Sequence, residues 1–461
     1  MKKRAVAVAV LLVSILIACA PSGKAPAPSE KVIKIGILGA LTGPLRSIGE
    51  GAIGVYDYFT DLNVTDGGVK YTDPKTGKEE VVRLELIMGD HAWDAAKSLS
   101  LYERFKAAGV QFIFCNGSAP TAVLYKAAAR DHIPGLHVDC TCDPYIYELE
   151  KPYLAMNTSN LPAGLVALVA RHVYEWKRAG NTGKLKLGIL AADVPTRRVM
   201  DNPEWGVPDY LNRILGADLE WLGTVYIPVA PVDVKAELNT FIQKGVQHLM
   251  VEHWGSGACR VVINDALALG MHKKGITLDI DWLPADVPLA EPQLFEEYNR
   301  YAKVRAYSHG WSGTEPPEIL AKYPGLKKAY DVCAKYHQGQ TPEQRMGWYY
   351  IYGVKEAMLG HQAIKKTLEK HGWEGFSGPA LRDEIFGLSP LDTGGIMPTY
   401  YPDPKYFMTL PGWTICDIRG GHIITNMPWV MVGKTKVYPD LTVKVADDWT
   451  DKVWFPPDWR P

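Results

Sequence analysis

The sequence predicts an α/β protein built as two doubly wound (Rossmann-like) lobes, and three observations carry that expectation. Short apolar runs alternate with helix-period segments from Ile33 to Asp139, the signature of a parallel sheet wrapped by helices. The same alternation starts again after Asn157-Thr158-Ser159 and runs to Trp282 without repeating the first set of residues. The chain has 461 residues, too long for one small core and suited to two domains of ordinary size.

The elements follow in order. Ile33 to Leu38 is a short apolar run ended by Gly39 and reads as a buried parallel strand. Gly49 to Asn63 places Ile53, Tyr56, Phe59 and Leu62 at helical spacing, and Thr65-Asp66-Gly67-Gly68 stops that helix. Asp73 to Gly77 reads as a turn between two strands, the second being Val82 to Met88. Ala95–Ala108 is a helix, Val110–Cys115 a strand, Pro120–Arg130 a helix with proline in its first turn, and Leu136–Asp139 a strand. In the second half, Leu161–Trp176, Pro208–Leu215, Val234–Lys244 and Ala258–Leu269 read as helices. Leu185–Ala191, Trp221–Ile227, His248–Glu252 and Leu278–Trp282 read as strands. Pro342–Lys370 is a long amphipathic helix or helix pair, and Gly412–Ile424 two strands around Arg419-Gly420-Gly421.

The N-terminus carries a separate message. Met1-Lys2-Lys3-Arg4 is basic, Ala5 to Ile17 is apolar apart from Ser14, and Leu16-Ile17-Ala18-Cys19 closes the run. That is the pattern of an export signal over residues 1–18, too short for a spanning helix. With Cys19 directly after the cut it resembles a bacterial lipobox, which implies a lipid anchor on Cys19 and an extracytoplasmic body tethered to a membrane. Residues 20–31 are Pro, Ala, Ser and Lys without apolar periodicity, a flexible linker reaching roughly 35 Å at about 3.1 Å per residue.

Composition narrows the function. The net charge of −1 shows no basic excess, so nucleic acid is not an expected partner. Besides Cys19 there are six cysteines, too sparse for a disulfide scaffold. Cys140-Thr141-Cys142 lacks metal-knuckle spacing, while a bridge from Cys115 to Cys140 or Cys142 is open beside three reduced thiols. Gly310-Trp311-Ser312-Gly313-Thr314 fails the nucleophile-elbow spacing, and no phosphate loop or zinc-protease motif is present, so no enzyme and no cofactor are expected. Asp279, Asp281 and Asp286 lack the glycine and glutamate of a calcium loop and read as a solvated strand end.

The order of short motifs resembles the leucine/isoleucine/valine-type solute-binding proteins of ABC importers, the periplasmic binding protein type I fold. Lys34-Ile-Gly-Ile-Leu-Gly-Ala-Leu-Thr-Gly-Pro-Leu45 with Gly49 and Gly51 is similar to the family's opening strand and turn, and Asp66-Gly67-Gly68-Val69 to the segment after its first helix. Gly89-Asp90 before Ala95-Ala96, Asn116-Gly117-Ser118-Ala119, Ile133-Pro134 before Asp139-Cys140-Thr141-Cys142-Asp143-Pro144, and Trp205-Gly206 follow in the family's order. The resemblance implies two lobes joined by a multi-strand hinge with a ligand cleft between them. One lobe is expected from 32–158 plus about 284–411, the other from 159–283 plus about 412–461. It further implies a monomeric receptor that passes a small polar ligand, an amino acid or related carboxylate or amide, to a membrane permease with its ATPase subunits.

Site residues come from position and chemistry. Ser118 and Ala119 open a helix whose free N–H groups suit a carboxylate, although Ser118 as a simple helix cap is the plainer alternative. Thr141 and Cys140 stand in the loop after the fourth strand, where Asp139 would instead welcome an ammonium or hydroxyls. Glu252 and Asp281, at strand ends, are the acidic candidates of the second lobe, and Trp205 and Trp254 could cover the ligand or wall the cleft. Two other roles stay open: a sensory lobe serving a separate membrane receptor, and a surface lipoprotein without transport.

Overall fold

The computed structural model describes residues 30–138, 149–155, 168–169, 172–173, 175–194, 197–198, 208, 216, 218–308, 311–345, 347–388, 391–396, 412–420, 422–425, 430–431, 435–437 and 443–445. The expected signal segment, Cys19 and most of the tail lie outside this set.

The first sheet is centred on β1 (Val32–Gly39), because Ile33, Ile35, Ile37 and Leu38 bury apolar side chains on both of its faces. β3 (Glu79–Asp90) flanks it in parallel on one side, and β4 (Phe112–Cys115), β5 (Gly135–His137) and β6 (Leu154–Ala155) follow in parallel on the other. β2 (Val69–Thr72) closes the far edge antiparallel to β3, joined by the expected turn. The order β2-β3-β1-β4-β5-β6 reverses winding between β1 and β4. Helices α1 (Glu50–Asp66), α2 (Ala95–Ala107) and α3 (Ser118–Asp131) connect the strands. Asp94 starts α2 by accepting a hydrogen bond from Lys97 N at 2.8 Å.

The second sheet repeats this plan. β7 (Leu185–Ala192), β8 (Leu219–Ile227), β9 (His248–Glu252), β10 (Thr277–Asp281) and β11 (Val304–Ser308) run parallel in the order β8-β7-β9-β10-β11. β12 (Gly412–Arg419) and β13 (His422–Thr425) extend it antiparallel around the expected turn. α4 (Lys235–Gln243) and α5 (Ser256–Ala268) link its strands, and α6 (Asp286–Ala290) and α7 (Pro292–Asn299) lead into β11. Residues 286–308, expected in the first lobe, pack on the second sheet, because β11 finds its parallel neighbour in β10.

The chain then returns to the first sheet. α8 (Pro317–Lys322), α9 (Pro324–Tyr336), α10 (Trp348–Gly375) and α11 (Gly378–Phe386) follow, and α9 to α11 supply Leu326, Ile351, Val354, Leu381 and Ile385 to the core under β1 and β4. α10 starts later than the expected Pro342, since Gly347 (φ 66°) breaks the helical backbone there. Backbones of α1 and α10 nearly touch: a methyl on Gly353 would meet Gly51 O at 1.9 Å, so only glycine fits that crossing. Chain order takes the backbone from one sheet to the other after β6, after β11 and again before β12.

Candidate functional site

In doubly wound sheets the ligand crevice opens beyond the C-terminal ends of the strands, where winding reverses. In lobe 1 that is the ground after β1, β3 and β4. Asp90, the last residue of β3, ties these loops together: Oδ1 accepts from Leu41 N at 2.9 Å and Ala92 N at 2.8 Å, and Oδ2 from Thr42 Oγ1 at 2.6 Å. The turn it holds is strained, with Ala92 (φ 49°) and Trp93 (φ 65°) both in the left-handed region. Trp93 N donates to His91 Nδ1 at 3.0 Å, which leaves the ring proton on Nε2 facing Asn116 Oδ1 at 3.2 Å. Burial lowers the His91 pKa to about 4, so the ring is neutral. Ser118 is fully buried at the start of α3, but the position before the helix belongs to Gly117 (φ 93°), with no side-chain cap bond. Ser118 is thus not the cap of α3.

In lobe 2 the corresponding ground holds a buried charge cluster. Glu252 ends β9 and Asp281 ends β10, neighbours because Val251 pairs with Ile280. Arg197, beyond β7, reaches both: Nη2 donates to Asp281 Oδ2 at 2.7 Å and Nε lies 3.2 Å from Glu252 Oε2. Its guanidinium stacks on Trp254, 4.4 Å from the ring centre. Tyr307, on β11 beside Asp281, donates its hydroxyl to Glu252 Oε1. All four polar residues are fully buried. Burial raises the Glu252 pKa against the opposing pull of Arg197, and burial with the nearby carboxylates holds the Tyr307 phenol neutral.

The two sides meet. Ser47 Oγ of lobe 1 donates to Trp254 O at 3.0 Å, and the Trp93 and Trp254 rings stand 6.3 Å apart. Trp93 also covers Gly117, where a methyl would come within 2.5 Å of its ring, so this indole links the Ser118 turn to the Trp254 side. Beside Asp281, Trp282 packs on Tyr349 at 4.8 Å and lies 6.3 Å from Trp348.

Of the residues chosen from sequence, Glu252, Trp254 and Asp281 come together in lobe 2, while Ser118 and Ala119 stand in lobe 1 at the start of α3. Asp139, Cys140, Thr141, Trp205, Cys19 and Cys142 lie outside the described residues, and so does a bridge from Cys115. Sequence reasoning missed Arg197, Trp93 and Tyr307. Arg197 stands five residues past β7, at a strand end like those of Glu252 and Asp281, and Trp93 three past β3; both offsets were readable.

Asp279 and Asp281, expected at a solvated strand end, are fully buried, each neutralised by an arginine. Among the described residues, His172, His248 and Asp279 have donor atoms within 4.8 Å of one another, close enough for a metal ion. Arg305 argues for a charge network instead. Its Nη2 sits 3.0 Å from His172 Nδ1, and a guanidinium only donates, so the ring proton is on Nε2, 2.7 Å from Asp279 Oδ2. Metal binding at Nε2 would need that proton on Nδ1, against the guanidinium. Arg305 Nε also donates to Asp279 Oδ1 at 2.8 Å and Nη1 to Glu175 at 3.0 Å. Asp286, the third aspartate, pairs with Arg260 at 3.0 Å.

Comparisons with known proteins agree with this geometry. Residues 32–385 match the family model described as periplasmic binding protein. No curated protein matches the sequence. Among solved structures, a branched-chain amino acid ABC transporter protein of Thermus thermophilus with bound valine is similar at 16% identity and a TM-score of 0.68, over 87% of this chain and 96% of that one. A fatty acid ABC transporter substrate-binding protein of Thermomonospora curvata has 16% identity and a TM-score of 0.67, over 88% and 93%. A solute binding protein of Rhodopseudomonas palustris BisB5 with 3,4-dihydroxybenzoic acid has 16% identity and a TM-score of 0.63, over 90% and 99%. The family and these neighbours are solute-binding proteins rather than enzymes. The family is extracytoplasmic, and no helix among the described residues is long and apolar enough to cross a membrane. This chain belongs to the periplasmic binding protein family and has its type I fold.

Proposed function

We propose that this protein is a lipid-anchored receptor that captures a small polar ligand, an amino acid or related carboxylate or amide, between its lobes and delivers it to an ABC import permease. The observation that supports this best is the direct meeting of the strand-end loops, Ser47 with Trp254 O and Trp93 with the Trp254 ring, around buried polar groups from both sheets. A ligand held from both sides stabilises only the closed arrangement. The same reading places the ligand's polar head near Ser118, Ala119 and Thr141.

The test is a ligand screen by thermal shift, followed by small-angle scattering. A true ligand at one hundred times its dissociation constant should add about 2.7 kcal/mol of stability and reduce the radius of gyration. An unchanged radius at saturation rules out hinged capture. Ser118→Ala should weaken that ligand about 10- to 150-fold, as loss of a hydrogen bond to a charged group does; full affinity would remove Ser118 from the site. For the anchor, Cys19→Ala should move the mature protein from the membrane fraction to the soluble one. A variant that still pellets with membranes excludes lipidation at Cys19.

A further inference from the structure

The acidic pair of lobe 2 invites an amine, yet the chain has placed its own cation there. Glu252 and Asp281 are the carboxyl groups at the strand ends, and the Arg197 guanidinium lies between them at 3.2 and 2.7 Å. It also lies over the Trp254 ring, the surface that would otherwise attract an ammonium. Burial raises the Glu252 pKa, and Arg197 reaches both carboxyl groups, so the pair already holds its own cation. A second cation would have to displace the guanidinium from two buried carboxyls.

The surrounding donors point the same way. The indole N–H groups of Trp254 and Trp348, 4% and 1% exposed, have no acceptor among the described residues. Indole only donates, so a molecule that satisfies them brings acceptor oxygens. The rest of the surroundings is aromatic: Trp93, Trp254, Trp282 and Tyr349 offer ring faces and edges rather than charge.

Resting on the cleft as the ligand site, we infer that Arg197 is a tethered cation occupying the place of a ligand ammonium. The receptor therefore selects organic acids without a charged amine, a carboxylate on an aromatic or aliphatic body. From the lobe 2 side Arg197 and the indole N–H groups meet ligand oxygens that the Ser118 turn meets from lobe 1, and Glu252 and Asp281 hold the arginine instead of the ligand.

The experiment is calorimetric titration with matched compounds: benzoate, 4-hydroxybenzoate and hexanoate against phenylalanine, leucine and hexylamine. The wild-type protein should bind at least one amine-free acid and discriminate against the amine-bearing compounds. Arg197→Met, which exposes the acidic pair, should lose about 10- to 150-fold in acid affinity and gain measurable affinity for an amine. Circular dichroism checks its fold. Should it not fold, Glu252→Gln/Asp281→Asn decides the matter. With Arg197 retained and its internal partners neutralised, acid binding should be kept or tightened, and loss of it would overturn the inference. Wild-type affinity for phenylalanine or leucine equal to that for the acids would also overturn it, while leaving the receptor reading intact. Failure of every compound to bind, with an unchanged scattering radius, would count against the cleft reading as well.

Discussion

The two sheets share one winding order and differ in what they bury. In lobe 1 the central strands carry Ile33, Ile35, Ile37, Phe112, Phe114 and Leu136, with Phe112 and Phe114 ring centres 4.8 Å apart. In lobe 2 one face of β9, β10 and β11 carries His248, Glu252, Asp279, Asp281, Arg305 and Tyr307 instead. Alternation along β10 puts Asp279 and Asp281 on the same face, about 7 Å apart at roughly 3.3 Å per residue. Asp281, with Arg197, lies at the C-terminal strand ends; Asp279, with Arg305, His172 and His248, lies one step further back in the sheet. The central strands of lobe 1 are thus lined by apolar packing that tolerates small losses, whereas one face of the lobe 2 sheet depends on charge pairing that does not.

The largest expected effect follows from breaking the pair of Asp279 with Arg305. Arg305→Met leaves the Asp279 carboxylate buried beside the neutral His172 ring with its arginine counter-charge gone, at an expected cost of about 3–5 kcal/mol. Ile35→Val in lobe 1 should cost only about 0.5–1.5 kcal/mol. Chemical denaturation of both variants measures the contrast, and Arg305→Met/Asp279→Asn should recover most of the loss. Equal effects of the two single variants would erase the distinction between the lobes.

Acidity should next separate two buried groups, one from each lobe. Burial lowers the His172 pKa from 6.5 to about 3. A depressed folded pKa means its contribution is present above pH 6.5 and is lost as pH falls, about 2 kcal/mol by pH 5. Glu50 in lobe 1 acts in the opposite sense. Burial, against the charge of Arg345 at 3.1 Å, raises it from 4.5 to about 7. Its contribution is full below 4.5 and is lost as pH rises through 7. His172→Asn should flatten the acid side of the stability profile, and Glu50→Gln the neutral side. The idea fails if each variant keeps the parent slope.

The smallest effect concerns the contact between lobes. Ser47→Ala removes one hydrogen bond to Trp254 O, worth about 1 kcal/mol, and should shift the ligand-free protein toward an open form with a larger scattering radius. No change in radius would show that Trp93 and Trp254 hold the lobes together without it.

Much of this was legible in the residues themselves. Short apolar runs such as Ile33–Leu38 and Leu185–Ala191, bounded by turn residues, read as parallel strands buried on both faces, and the alternation around them points to two wound lobes. Because such strands present their C-terminal ends to the crevice, Glu252, Trp254 and Asp281 could be chosen by position alone. What they do there was not readable. Arg197 and Asp281 are 84 residues apart, and their pairing exists only because sheet order brings the ends of β7, β9 and β10 side by side. Nor does an alanine or tryptophan announce the left-handed backbone of Ala92 and Trp93, in a turn where Asp90 joins Ala92 N to Leu41 N of the loop after β1. Local sequence determines where chain segments are strand or helix, since propensity and periodicity act over a few residues. Only the tertiary structure decides which charges neutralise each other, because that depends on distances set by segments remote in the chain.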